Sequence, residues 1–271
     1  MDTRLLQLGC HLRYSSQLPT AAVFQFVPKR DPRIVFDEES LDVSEGVDLH
    51  EYHDLHGNLC HRLVLQTGVT EVVYTVRATV PDAEDPRDPD ARELAPGDLP
   101  DEALVFTMPS RFVTSDVLSG QAWKLFGQHE PGMARVEAIS GWTKNYLTYV
   151  TGASHSRWTA LDSFTSGIGV CRDFAHLMIT MCRALNIPAR YCAGYLPDMD
   201  VPPIPTPMDF HAWVEVYLEG GWWTFDPRHD RRRKGRVKVG HGRDALDVAF
   251  ATTYGGPWLQ YFTVTAEEIV G

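Results

Sequence analysis

Three side-chain types that together can open an amide bond, a thiol, an imidazole and a carboxylate, stand at telling places in this sequence. The thiol is Cys171, reached through Gly167-Ile168-Gly169-Val170. Beyond it Phe174, Leu177, Met178, Met181 and Leu185 recur at steps of three and four, which predicts a helix buried along one stripe. Cys171 therefore opens that helix. The unpaired N–H groups and the positive end of the helix dipole at such a position favour an anion, so a thiol there leans toward thiolate, the nucleophilic form. The two glycines are expected to leave room for a carbonyl to approach the sulfur. A cysteine in an apolar run is ordinarily a small core residue, and Cys182 and Cys192 read that way.

The imidazole is His211 and the carboxylate Asp226. His211 opens a strand over 211–218, in which Ala212, Val214, Val216 and Leu218 share one face and His211, Trp213, Glu215 and Tyr217 the other. A tight turn at Glu219-Gly220-Gly221 leads into a second strand over 222–225, which Asp226 closes. An antiparallel hairpin sets the start of its first strand beside the end of its second, so His211 and Asp226 are expected to be cross-strand neighbours. A carboxylate so placed fixes the tautomer of an imidazole and stabilises its protonated form. Packed over the start of the Cys171 helix, the hairpin would assemble a nucleophile, a base and an orienting group.

The elements that must position these residues follow from the rest of the chain. The sequence has 271 residues, 44% of them hydrophobic, with 7 Trp, 12 Phe and 10 Tyr, enough for one large domain or two ordinary ones. Residues 1–80 read as a small antiparallel β domain, with strands over 6–14, 21–28, 62–65 and 71–80 and a hairpin turn at 54–58. Residues 81–101, rich in Pro and acid, read as a solvated linker. Residues 102–271 then form the catalytic domain. It is expected to hold helices over 116–128 and 133–150, a loop over 149–169 anchored by Trp158, Leu161 and Phe164, and the Cys171 helix ending near Pro188. Strands follow over 189–196 and in the hairpin, with a last β-like run over 258–264. His50, His53, His56, Cys60 and His61 cluster around the 54–58 turn, but their spacing matches no zinc pattern, so no metal is assigned.

No stretch is long and apolar enough to span a membrane, and the first residues lack a secretory pattern. Five cysteines without paired spacing point to a reducing, cytoplasmic setting. A net charge of −11 argues against nucleic-acid binding. Against that charge the run Arg228-His229-Asp230-Arg231-Arg232-Arg233-Lys234-Gly235-Arg236 is strongly basic. It reads as a solvated loop, or as an attractor for an acidic substrate or partner.

Four ordered blocks carry a resemblance. Residues 169–177 (Gly-Val-Cys-Arg-Asp-Phe-Ala-His-Leu), 188–196 (Pro-Ala-Arg-Tyr and Gly194-Tyr195-Leu196), 211–217 (His-Ala-Trp-Val-Glu-Val-Tyr) and 222–227 (Trp-Trp-Thr-Phe-Asp-Pro) resemble the bacterial transglutaminase-like superfamily. Gly242-Arg243-Asp244 with Asp247-Val248 resembles its C-terminal stretch. The resemblance covers residues 110–265 well and the first 90 weakly. It implies an α+β fold: a papain-like core with the Cys helix packed on an antiparallel sheet, preceded by the β domain. It also implies a catalytic triad of Cys171 as nucleophile, His211 as base and Asp226 as orienting carboxylate. The backbone N–H of Cys171 would be one oxyanion donor, with Trp158 a candidate for the second. Asp173 and His176 recur in the motif and read as packing residues.

The chemistry so implied is attack on an amide of a peptide or protein substrate through a thioester, without cofactor or metal. Release to water makes a cysteine peptidase or amidase; release to an amine makes a transglutaminase, and a deamidase is a variant of the same path. A silent binding scaffold is the rival from another class, although it would be expected to lose a triad member. Glycan removal from asparagine fits less well, since no zinc-binding Cys pairs or carbohydrate module are recognisable. No calcium loop of recognisable spacing is present.

Overall fold

The computed structural model describes residues 2–203 and 207–269. In β1 (Thr3–Ser16), Leu6, Leu8, Cys10, Leu12 and Tyr14 are buried in alternation, the period of a half-buried strand. The N-terminal region continues through β2 (Thr20–Phe24), β3 (Val35–Val43), β4 (His50–His53), β5 (Leu59–Leu65) and β6 (Gly68–Pro81). Its two four-stranded sheets share a core that includes Leu8, Leu12, Phe24, Leu65, Val72 and Tyr74. The polar strands β3 and β4 are edge strands, without the apolar alternation that reveals β1.

Four short helices precede the one that carries Cys171: α1 (Asp101–Leu104), α2 (Ser119–Phe126), α3 (Met133–Tyr146) and α4 (Ala160–Ser166). Helix α4 lies in the stretch expected to be loop. Its start is fixed by Thr159 and Asp162, each side chain bonding the other's backbone N–H. A two-stranded parallel pair, β7 (Thr148–Tyr149) and β8 (Ile168–Gly169), leads into α5 (Cys171–Ala184). Every residue of α5 from Asp173 to Ala184 is buried, as suits a helix in the middle of a core.

Helix α5 packs on the sheet of β9 (Ala189–Tyr195), β10 (His211–Leu218), β11 (Gly221–Phe225) and β12 (Val237–Gly242), ordered β11-β10-β9-β12 and antiparallel throughout. Phe174, Leu177 and Met181 meet Ala212, Val214 and Val216 in one core. Elsewhere in this sheet Tyr195, Val237 and Val239 join the N-terminal core instead. The fold is thus α+β, a Cys-bearing helix on an antiparallel sheet behind a β region.

Two boundaries differ from the sequence reading. β13 (Ala251–Thr253) pairs with β2, and β14 (Trp258–Glu268) pairs with β1 along most of its length. The end of the chain therefore completes the N-terminal sheets rather than a separate domain over 102–271. Residues 81–101 are largely exposed but anchored at several points. Asp85 is buried against Arg233 and Arg236, and Glu93 accepts from Arg135 and from the N–H of Gly132.

Near the C-terminal end of α5, the fully buried Arg183 donates to the carbonyls of Ala189 (2.9 Å), Met108 (2.8 Å) and Arg243 (2.6 Å). Burial lowers its pKa to about 10, leaving it charged at neutral pH. Arg183→Met keeps the stem but strands three buried carbonyls, so we expect a loss of roughly 3 kcal/mol or more in urea unfolding. A loss under about 1 kcal/mol would mean the carbonyls find other donors.

Candidate active site

Val170 is extended and Cys171 is the first residue of α5. Asp173 holds this start in place, since its Oδ2 accepts the N–H of Val170 at 2.8 Å and its Oδ1 takes Arg172 at 3.1 Å. The glycines before the thiol serve this local geometry. Gly167 ends α4 in the left-handed region at φ 71°. A Cβ on Gly169 would lie 2.7 Å from the Cβ of Asp173.

The hairpin delivers the other two groups. Val214 pairs with Phe225, which sets Asp226 level with Trp213 and leaves His211 to reach it on the diagonal rather than directly across. His211 Nε2 and Asp226 Oδ2 are 2.8 Å apart, both side chains buried. The same Oδ2 lies 3.1 Å from Nδ1 of His229 and accepts from Arg236 Nη2 at 3.3 Å. Arg236 is in turn fixed over the Trp213 ring at 4.6 Å and paired with Asp85.

Cys171, only partly buried, opens onto a cavity of about 360 Å³ that it shares with His211, Tyr149, Arg228 and His229. The structure so brings the three sequence-predicted site residues to one place. Burial pushes the Cys171 thiol up to about 11, against the backbone N–H groups of Ala212 and Arg172 and the charge of Arg228, which favour thiolate. Burial also lowers His211, although Asp226 opposes this. Asp226 is held well below the usual carboxylate range: burial works against its charge, but His211, His229 and Arg236 outweigh it. At neutral pH the resting state is thus a thiol beside a neutral imidazole, backed by an ionised carboxylate. That imidazole is free to accept a proton.

His229 and Arg236 stand in the basic run noted in the sequence, but their contact with Asp226 was not read there, although Asp226-Pro227-Arg228-His229 sets a His three residues past an Asp in a turn. Trp158 is not among the residues lining the cavity, and its indole N–H donates to Ser163 Oγ at 2.9 Å. His176 packs between Phe112 and Tyr191, with Nε2 accepting from the N–H of Ala245. Around the 54–58 turn, His56 meets Asp247 and His61 meets Glu51. Among the described residues, His211, Asp226 and His229 bring one donor atom each within 4.8 Å of one another. A divalent ion there would have to displace the proton joining His211 to Asp226.

Residues 122–227 match the family model of the transglutaminase-like superfamily. The crystal structure of a "putative cysteine protease" from Cytophaga hutchinsonii superposes with a TM-score of 0.89 at 31% identity, covering 100% of this chain and 92% of that one. The chain belongs to the transglutaminase-like superfamily. Protein ML0607 of Mycobacterium leprae (strain TN) is 29% identical over 248 residues, 87% of this transglutaminase-like chain and 88% of its own length. YebA of Bacillus subtilis (strain 168) matches 39% of the chain at 29% identity, over 16% of YebA's length. Among the described residues no helix is long and apolar enough to cross a membrane.

Because the Gly169 Cβ position collides with Asp173, Gly169→Ala is expected to displace the Asp173–Val170 cap and cost roughly 1–3 kcal/mol. Thermal unfolding measures the loss, and alkylation of Cys171 should slow with it. An unchanged melting temperature would show that the cap tolerates the shift.

Proposed function

We propose that this protein is a cysteine peptidase or amidase in which Cys171, His211 and Asp226 act as nucleophile, base and orienting carboxylate. The observation that carries the reading is the buried 2.8 Å bond from His211 to Asp226, opening onto the cavity that holds Cys171. The "cysteine protease" designation of the Cytophaga hutchinsonii relative agrees with it.

In this reading His211 takes the Cys171 proton as the sulfur attacks the amide carbonyl. The new C–S bond and the oxyanion form together, the oxyanion resting on the Cys171 N–H at the start of α5. The oxyanion then collapses, the C–N bond breaks, and His211 passes its proton to the leaving amine. Asp226 keeps the imidazole in its working tautomer and stabilises it while protonated. His211 next takes a proton from water as the water oxygen attacks the thioester carbonyl. The C–S bond then breaks, the carboxylic acid leaves, and the proton returns from His211 to the Cys171 sulfur. Hydrolysis is preferred over transfer because water needs no binding site of its own. The substrate is a peptide or protein, no cofactor or metal is required, and neither nucleic acid nor membrane is a partner. A reactive thiol and four further free cysteines suit a reducing cytoplasm.

A panel of peptide amides, read by release of amine, tests the assignment. Cys171→Ala and His211→Ala should abolish turnover, and Asp226→Asn should lower kcat by roughly 10²–10⁴ with the fold intact. Turnover surviving in Cys171→Ala would overturn the reading. Product carrying an added amine in place of water would reassign the enzyme as a transglutaminase.

A further inference from the structure

Arg228 and the exposed Arg231 stand apart from the other cations of the basic run, and of the two only Arg228 lines the cavity of Cys171. Arg232 pairs with Glu84 (2.5 Å), Arg233 with Asp198 (3.2 Å), Lys234 with Asp82 and Asp200 (2.6 and 2.7 Å) and Arg236 with Asp85 (3.1 Å). Those charges are absorbed by the protein itself. Among the described residues, no carboxylate lies within ion-pair distance of Arg228. Its guanidinium lies instead over the Tyr149 ring, 4.0 Å from the centroid, and both residues line the cavity of Cys171 and His211.

The position of this charge is informative. At the Cys171 sulfur the favourable field of Arg228 exceeds the unfavourable field of Asp209, an acidic residue of the same cavity. Asp209 is exposed, and its Oδ1 is already engaged by the N–H of Phe210 at 2.7 Å. The cavity's other carboxylate, Asp198, is met by Arg233. An arginine held by its face on an aromatic ring keeps its in-plane N–H donors for a planar, two-oxygen acceptor. In a protein of net charge −11, such a cation beside the reacting atom suits a transient anionic partner.

We propose that Arg228 forms a carboxylate-binding subsite, and that the preferred substrates are amides bearing a free carboxylate close to the bond attacked. This rests on Cys171 being the nucleophile. The subsite can be tested without knowing the substrate, by comparing alkylation of Cys171 with iodoacetate and with iodoacetamide. The two reagents differ by one carboxylate, and the ratio of their rates at one pH cancels the fraction of thiolate. Peptide mass mapping separates Cys171 from the four other cysteines.

Relative to a short cysteine peptide, wild-type Cys171 should favour iodoacetate by about tenfold or more at low salt. Added salt should shrink the preference. Arg228→Gln should bring it within about twofold of the peptide, and Arg228→Lys should keep part of it, since charge remains while the planar fork is lost. Asp209→Asn should enlarge it. Equal ratios in wild type and Arg228→Gln overturn the subsite and leave Arg228 as a prop for Tyr149. Failure of the nucleophile reading looks different: His211→Ala would then leave both absolute rates unchanged, whatever their ratio.

Discussion

The site depends on keeping one buried carboxylate charged. Asp226 is removed from water, which by itself would favour its protonated form, and a neutral Asp226 could not stabilise His211 once that imidazole is protonated. Three groups hold the charge from three directions: His211 along the hairpin diagonal, His229 from the turn that follows, and Arg236 from the next stretch of chain. Each of these is itself held. Arg236 is clamped between Asp85 and the Trp213 ring, and the His229 ring lies tilted beside that of His211, with centroids 5.1 Å apart.

This arrangement explains why an acidic segment and a basic one coexist. Asp82, Glu84 and Asp85 from the stretch after β6 meet Lys234, Arg232, Arg233 and Arg236 from the stretch after the hairpin. The exposed pairs contribute little individually. The buried pairing of Arg236 with Asp85 fixes the arginine against Asp226, and breaking it would leave an uncompensated charge inside the protein. The β region is tied to the same sheet from its other side. Buried Asn58 exchanges two hydrogen bonds with the backbone of His241 in β12, and Tyr195 donates to the carbonyl of Phe26. The two cores so support one sheet between them.

Local patterns announced much of this. The three-and-four spacing from Phe174 to Leu185 located α5, and the alternation around Glu219-Gly220 located the hairpin with the pairing of His211 and Asp226 at its open end. What stayed hidden has two physical causes. One is distance along the chain: β14 pairs with β1 and Asp85 meets Arg236, contacts that no local window holds. The other is chemistry that looks like solvation. Pro-rich acid reads as linker and clustered arginine as a wet loop until they are seen to neutralise each other. Helix α4 is a different case, since the Thr159–Asp162 capping box was present in the sequence and was passed over among anchors in a loop.

The central claim is that His211 takes the proton of Cys171. It is tested most directly by the pH dependence of iodoacetamide alkylation at Cys171, in wild type and in His211→Ala. Burial lowers His211, so the imidazole is neutral and competent to accept a proton from below its ordinary pKa of about 6.5 upward. The wild-type rate should therefore rise along an acid limb below pH 6.5 and hold through neutrality. In His211→Ala that limb should vanish, leaving a slow reaction that climbs only in the alkaline range, where the thiol ionises near 11. Superimposable profiles for the two proteins, both rising only in alkali, would contradict the account and leave Cys171 an ordinary thiol at the head of a helix.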